Sequence, residues 1–88
     1  MKYFVTEKFR ETFRELPPRI QRRARAAYRL WKRNPYHPSL QFKRIHEVKP
    51  IYSTHVDDRR ALGVHNANEF VWFWIGSHEE YNNLIARL

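Results

Sequence analysis

The spacing of apolar residues changes near residue 40 of this chain, and this change restricts the possible folds more than any other feature. Before that point, apolar residues recur every three or four positions, as a helix with one buried face requires. After it they alternate with polar residues, which is typical of strands, until a last helical stretch follows residue 77. Helices grouped ahead of a run of strands indicate an α+β fold rather than an alternating α/β fold.

Two helices are predicted in the first half. Thr6 can cap a helix that begins at Glu7, where an acidic side chain is favourable, and the Pro17-Pro18 pair ends it. Because proline is tolerated in a first helical turn, the second helix can begin at about Pro18, and Asn34-Pro35 ends it. The short link between the two predicts an antiparallel helical hairpin.

Five strands are predicted, at residues 3–5, 40–47, 51–56, 59–65 and 69–75. The first is a short edge strand. Tight turns join the other four, so we expect an antiparallel meander on which the helical hairpin packs. The strand at 69–75 is the most apolar and should be central, with Trp72 and Trp74 on one face. Gly76 should end it, and Ser77 and Glu80 have the spacing of a capping box that opens a short C-terminal helix.

Length and composition favour a single basic domain, residues 1–88. With no cysteine there can be no disulfide or thiolate chemistry, and a cytoplasmic location is the simplest expectation. No apolar run approaches the roughly 20 residues that span a bilayer, so we expect no membrane partner. The net charge of +8 favours an anionic partner, and residues 19–33 contribute seven basic residues and no acidic one. These cations could contact RNA phosphates or an acidic protein.

Several short sequence words, in a constant order over most of the chain, carry a family resemblance. They are Phe13-Arg14-Glu15-Leu16-Pro17, Asn34-Pro35-Tyr36-His37-Pro38-Ser39-Leu40, Phe42-Lys43, Ile51-Tyr52-Ser53, Arg60-Ala61-Leu62 and Trp74-Ile75-Gly76-Ser77-His78-Glu79-Glu80-Tyr81. With them the chain resembles the RelE/ParE superfamily of toxins from type II toxin–antitoxin pairs. The resemblance implies a RelE-like fold and neutralisation by a cognate antitoxin protein.

The resemblance leaves the activity open between two kinds of toxin. RelE-like members are metal-independent endoribonucleases that cut messenger RNA, usually on the ribosome, and need no cofactor. ParE-like members poison DNA gyrase. A non-toxic interaction module on the same fold is a third alternative. We expect the ribonuclease, with RNA and the ribosome as partners alongside the antitoxin.

The resemblance also implies site residues on the middle strands and at the start of the last helix. Cleavage through the RNA 2′-hydroxyl needs a base, a group that stabilises the phosphate charge, and an acid. Arg60 is the expected phosphate ligand, His78 and His55 the proton-transfer groups, and Tyr81 a secondary acid or stacking group. The expected RNA-binding residues are Lys43, Arg44, Ser53 and Arg59.

Each of these residues also has a structural alternative. His55 could be an ordinary surface residue, and Tyr81 lies on the apolar stripe of its helix, where core packing is expected. Arg60 could pair with Asp57 or Asp58. Ser53 and His55 stand where well-studied RelE members carry lysine and arginine, which implies either a histidine-based nuclease or no nuclease. No metal site is expected, because His78-Glu79-Glu80-Tyr81-Asn82 lacks the second histidine of the H-E-x-x-H motif.

Overall fold

The computed structural model describes residues 1–88 as a five-stranded mixed sheet with helices on both of its faces. In chain order the elements are β1 (Lys2–Val5), α1 (Glu7–Arg14), α2 (Pro18–Arg33), a 3₁₀ turn (Pro38–Leu40), β2 (Lys43–Arg44), β3 (Ile51–Val56), β4 (Arg59–Asn66), β5 (Glu69–Ser77) and α3 (His78–Ile85). This order confirms the predicted α+β fold. None of the three α-helices combines the length and the apolar character needed to cross a bilayer.

The sheet has the strand order β1-β5-β4-β3-β2. Its last four strands pair antiparallel with their sequence neighbours, which confirms the predicted meander. At the other edge, β1 pairs parallel with β5, from Lys2 opposite Glu69 to Val5 opposite Trp72. A parallel pair needs a long crossover, and here the two helices and the other strands of the meander provide it. β5 is thus an interior strand, as expected, while β4 occupies the middle of the sheet.

The strand predicted at residues 40–47 is wrong over most of its length, because β2 contains only Lys43 and Arg44. The Leu40 side chain is buried, and the buried hydroxyl of Thr54 donates to the Leu40 carbonyl at 2.8 Å, which holds the 3₁₀ turn against the sheet. Gln41 then takes a left-handed conformation, with a φ of 43°, and so interrupts any extended strand. Tertiary anchoring of one leucine therefore overrides the local alternation.

Both N-terminal helices begin and end close to the predicted residues. The Thr6 Oγ1 accepts from the Phe9 amide at 3.1 Å, and Pro18 stands in the first turn of α2. The hairpin is open, however: α1 packs mainly on β5 and α2 on β3, with few direct contacts between the helices. The sheet surface between them forms the floor of a groove.

A bulge in β5 determines which face of the sheet each of its aromatic side chains lies on. Leu62 of β4 pairs with Trp74, but the next residue, Gly63, pairs with Trp72, so Phe73 is an extra residue in β5. Phe73 and Trp74 both pack on the side of α3, whereas Trp72 packs under α1 and α2. The prediction that Trp72 and Trp74 share a face is therefore wrong. Gly76 does not end β5 either, since the strand continues through Ser77.

Each sheet face has its own core. The hairpin face, covered by α1 and α2, carries the larger cluster, which is Leu16, Ile20, Ala24, Trp31, Leu40, Val56, Ala61, Phe70, Trp72 and Ile75. The α3 face carries a smaller cluster of Ile51, Leu62 and Tyr81, with Ile45, Phe73, Trp74, Leu84 and Ile85 around it. Because α3 is short, it covers only part of its face, and the strand ends beside it stay accessible.

Candidate functional site

A group of basic side chains gathers on the α3 face, where β2, β3 and β4 lie side by side. His55 of β3 is directly opposite Arg60 of β4, so their Cβ atoms are about 5 Å apart. Lys43 of β2 is opposite Ser53, two residues before His55 and on the same face of β3. His78 is close enough to this group for its charge to affect the pKa of His55. We call Lys43, His55, Arg60 and His78 the basic cluster.

The basic cluster changes the protonation of its central histidine. Burial lowers the pKa of His55 below its ordinary value, and the positive charges of Arg60, Lys43 and His78 lower it further, in that order. The His55 imidazole is consequently neutral near pH 7. A neutral imidazole among cations can accept a proton while its neighbours hold an anion.

His78 is the first residue of α3, and its exposed ring lies 6.2 Å from the ring of Tyr81, between ring centroids. The end of the helix itself is a poor anion site. Its capping box uses the Glu80 amide, which donates to the Ser77 Oγ at 3.1 Å, and the Ser77 amide, which donates to the Glu80 Oε1 at 2.9 Å. Two carboxylates also occupy the first turn. An anion near His78 would therefore be bound by side chains rather than by the helix terminus.

The Arg60 guanidinium has no acidic partner. One of its amino groups, Nη1, donates to the Arg59 carbonyl at 2.9 Å, and the other donors remain free. The nearby aspartates are paired elsewhere, with Asp57 at 3.3 Å from Arg19 and Asp58 at 2.9 Å from Arg59. The alternative in which Arg60 only pairs with one of these aspartates is therefore wrong, and a free guanidinium suits a phosphate.

Four of the other expected site residues do not join the basic cluster. Ser53 is 1% exposed, so the prediction that it contacts RNA is wrong. Tyr81 is 8% exposed and packs in the smaller core, as its place on the apolar helix stripe indicates. Strand alternation turns Arg44 and Arg59 to the opposite face. The Arg44 guanidinium also donates to two loop carbonyls, and that of Arg59 pairs with Asp58.

Trp74 lies beside the basic cluster, which the sequence reading missed. A Cβ at Gly76 would approach the Trp74 indole to 2.5 Å, so the indole lies over Gly76, and Gly76 is opposite Arg60 on β4. The ring is only partly buried. An aromatic face of this kind can stack on a nucleobase. The sequence did not predict this position of Trp74, because it depends on the bulge at Phe73, and no local sequence pattern predicts that bulge.

His46, which had no obvious partner in the sequence, holds a loop and the end of the chain together. Its Nδ1 accepts from the amides of Val48 and Lys49 at 3.1 and 2.9 Å, so its Nε2 carries the proton and bonds the Leu88 carbonyl oxygen at 3.1 Å. This histidine is therefore structural. No group of three or more histidine and acidic side chains is arranged to hold a metal ion.

The open helical hairpin leaves an apolar groove of about 390 Å³ on the other face of the sheet. Its walls include Phe9, Phe13, Tyr28 and Trp31, and its floor is formed by β3, β4 and β5. The only charged residues that line it are Arg10, Arg14 and Arg25. We call this the hairpin groove. Its size and apolar character suit a protein segment rather than a nucleic acid.

Solved toxin structures share this arrangement of helices and strands. RelE from Methanococcus jannaschii, solved in complex with RelB, superposes with a TM-score of 0.75 at 12% identity, over 92% of this chain and 96% of that one. YafQ from E. coli gives 0.74 at 12% identity, over 91% and 96%. The isolated E. coli RelE toxin gives 0.67 at 11% identity, over 98% and 96%. The fold of this chain is thus of the class that these RelE and YafQ structures share.

Sequence comparison identifies the family within this class. The chain belongs to the ParE-like toxin domain family, whose model matches residues 18–83. The matched part includes the whole basic cluster and Trp74, and omits β1, α1 and the last residues. No curated protein matches the sequence significantly.

Proposed function

We propose that this toxin is an endoribonuclease that cleaves RNA at the basic cluster without a metal ion. The observation that carries the proposal is the His55 imidazole directly opposite an Arg60 guanidinium that has no acidic partner, with Lys43 and His78 close enough to lower the pKa of His55. A base, two phosphate ligands and a second titratable group are the components that cleavage through a 2′-hydroxyl requires.

The proposed reaction assigns one role to each residue. His55 accepts the proton of the 2′-hydroxyl, and the 2′-oxygen attacks the adjacent phosphorus. Arg60 and Lys43 stabilise the negative charge that builds up on the phosphate oxygens. The bond between phosphorus and the 5′-oxygen breaks, and His78 donates a proton to that oxygen. The products are a 2′,3′-cyclic phosphate and a 5′-hydroxyl, and Trp74 stacks on a base next to the cleaved bond.

Cleavage of a labelled RNA by the purified protein tests the proposal. We expect products with 5′-hydroxyl ends, and losses of about 100-fold or more in rate for His55→Ala and Arg60→Ala, in line with the contribution of a positioned base or charge. His37→Ala and Arg87→Ala are matched controls outside the basic cluster. RNA that stays intact with the wild type, or equal losses in the control variants, would contradict the assignment.

Expression in bacteria extends the test to the cell and to the ribosome. Mapping of mRNA 5′ ends after induction should show new ends in translated regions, and fewer of them with Arg60→Ala. We place this activity in the cytoplasm, where the mRNA and ribosomes are. Growth arrest with intact transcripts would rule out the nuclease.

Gyrase inhibition is the second candidate, favoured by the match to the ParE-like family model. In that case supercoiling by purified DNA gyrase should fall when the protein is added, and His55→Ala and His78→Ala should leave the inhibition unchanged. A protein that neither cleaves RNA nor inhibits gyrase, and causes no arrest, would be the non-toxic module.

We also propose that an antitoxin protein occupies the hairpin groove. The RelE proteins of Methanococcus jannaschii and Pyrococcus horikoshii were solved as complexes with RelB. The groove in this chain combines an apolar surface with three arginines, which favours an amphipathic segment with acidic residues. Phe13→Glu should weaken binding of the protein encoded by the adjacent gene by at least tenfold in calorimetry, whereas Arg87→Glu should not.

A further inference from the structure

The seven basic residues of α2 differ in their contacts. Asp57 lies 3.3 Å from Arg19 and 3.9 Å from Arg23, so these two arginines share one carboxylate. Two other cations lie over aromatic rings, with Arg25 at 5.0 Å from the ring centroid of Phe13 and Lys32 at 4.7 Å from that of Tyr28. The remaining three, Arg22, Arg29 and Arg33, are exposed and have no ion pair, hydrogen bond or aromatic contact within the protein.

These three arginines lie on one line along the helix. At 3.6 residues per turn, positions 22, 29 and 33 fall within an arc of about 40°. Their Cα atoms are separated along the axis by about 10 Å and about 6 Å. The line is opposite the buried residues Ile20, Ala24 and Trp31 and therefore faces away from the sheet. We call it the arginine stripe.

The surroundings of the arginine stripe favour a phosphate backbone over a protein. The one residue that continues the line between Arg22 and Arg29 is Ala26, which lies in a shallow depression with Arg29, Lys32 and Arg33. No large apolar side chain on this line could form the core of a protein interface. α2 contains no acidic residue that would repel a polyanion. Interfaces with nucleic acids are polar and strongly cationic, as this surface is.

We propose that Arg22, Arg29 and Arg33 form a second RNA-binding surface, which holds the phosphate backbone of an RNA. The choice of RNA rests on the proposed ribonuclease function. The arginine stripe lies on the hairpin side of the sheet, whereas the basic cluster lies on the α3 side. Because the two surfaces lie on opposite sides of the sheet, the stripe binds a different segment of the RNA from the one in the basic cluster and anchors the protein beside its substrate.

Binding of a fluorescent RNA hairpin, measured by anisotropy at several salt concentrations, tests the proposal. The variant is Arg22→Gln with Arg29→Gln and Arg33→Gln. Each lost phosphate contact should reduce the slope of log affinity against log salt by roughly 0.9, so the triple variant should lose about 2 to 3 units of slope. The matched control, Lys8→Gln with Lys49→Gln and Arg87→Gln, removes the same net charge from separate surfaces. Equal losses in the two variants would overturn the proposal.

Two further ligands separate RNA from other polyanions. A DNA duplex of the same length and a poly-glutamate peptide should bind more weakly than the RNA hairpin, and the triple variant should change their affinities less. Preferential loss of DNA or of peptide binding in the triple variant would overturn the choice of RNA.

A final variant separates this proposal from the ribonuclease. His55→Ala should abolish cleavage but keep the full salt slope of the wild type. If the wild type fails to cleave yet the triple variant loses its slope, only the proposed ribonuclease fails. If cleavage is observed and the slope is unchanged in the triple variant, only the arginine stripe fails.

Discussion

Gly63 of β4 stands where two aromatic side chains of β5 cross the strand. A methyl group at this position would overlap the Phe70 ring and approach the Trp72 Cε3 to 2.9 Å. Both rings are buried and contact Trp31 as well, at centroid distances of 4.9 and 5.1 Å. The rings therefore cannot move aside without disturbing the core under α2.

Gly63→Ala should destabilise the protein by about 1 to 3 kcal/mol, as overpacking of a well-filled core does. Urea unfolding followed by tryptophan fluorescence would measure the change. Ala26→Gly, an exposed helix position, should cost only about 1 kcal/mol through helix propensity and serves as the control. If Gly63→Ala leaves the unfolding midpoint unchanged, the Phe70 ring can move away from the added methyl group without loss of stability.

The protonation of His55 can be tested without reference to activity. Because the Arg60 charge lowers the pKa of His55, Arg60→Gln should raise that pKa toward its ordinary value, though only in part, since burial makes the largest contribution. Two-dimensional NMR titration of the imidazole would measure the shift, with His37 as an internal reference. A shift in the opposite direction, or none, would place the Arg60 charge away from His55.

The same shift has a consequence for stability. The folded protein binds a proton at His55 less readily than the unfolded chain does, so protonation favours unfolding. Stability therefore falls as the pH drops through the ordinary range of histidine, and Arg60→Gln should weaken this dependence.

At the scale of single residues, a strand pairing can be read from the sequence where turn length determines it. The Asp57-Asp58 turn makes His55 and Arg60 cross-strand partners, and alternation alone puts them on one face. Burial that depends on distant elements cannot be read in this way. Ser53 shares the face of His55 but lies deeper, beside Leu62, and nothing in its immediate sequence distinguishes the two positions.

The C-terminal helix begins at a capping box that the sequence predicted and the structure contains. Ser77→Ala should destabilise the protein by about 1 kcal/mol, because the Glu80 amide loses its acceptor. Chemical denaturation would measure the loss, and Asn83→Ala on the exposed side of α3 is the control. An unchanged stability would mean that α3 contributes little to the cooperative fold.

The effect of this cap depends on pH. Hydrogen bonds from the Ser77 amide, and then from its hydroxyl, lower the pKa of Glu80 below its ordinary value. The stabilisation is thus present above the pKa that Glu80 has in the unfolded chain, and is lost as the pH falls through its folded pKa. The destabilisation by Glu80→Gln, which removes the charged acceptor, should accordingly shrink in acid.

Element types were predictable from local patterns, but two element boundaries were not. Capping residues and prolines determine the ends of α1, α2 and α3 within the local chain. The ends of β2 and the continuation of β5 through Gly76 depend on contacts far along the chain, such as the bond from Thr54 to Leu40. Local periodicity contains no information about such anchors.

The whole molecule has three surfaces that differ in chemistry and lie in different places. The basic cluster is on the α3 side, the apolar hairpin groove is between α1 and α2, and the arginine stripe is on the outer face of α2. The sequence indicated the overall basic character and the fold. It did not show that the cations divide between two sides, because that division depends on which face of the sheet each element covers.

If the basic cluster and the arginine stripe act independently, their effects on cleavage should add. We expect the loss of kcat/KM in Arg60→Ala combined with the stripe triple variant to equal the sum of the separate losses in free energy, within about 0.5 kcal/mol. Single-turnover and steady-state cleavage of a hairpin substrate would measure this. A coupling well beyond that value would mean that one RNA segment contacts both surfaces.

The extra residue in β5 has a consequence for how this sheet tolerates changes in length. Phe73 and Trp74 both face α3, and Trp72 and Ile75 both face the hairpin side, so removing Phe73 would restore strict alternation without turning any other side chain over. Deleting one residue from a regular strand moves every following side chain to the other face of the sheet. Deleting Phe73 would instead remove only one aromatic contact. A chain that is one residue shorter at this point can therefore keep the same two cores and the same placement of the strand ends that carry the basic cluster.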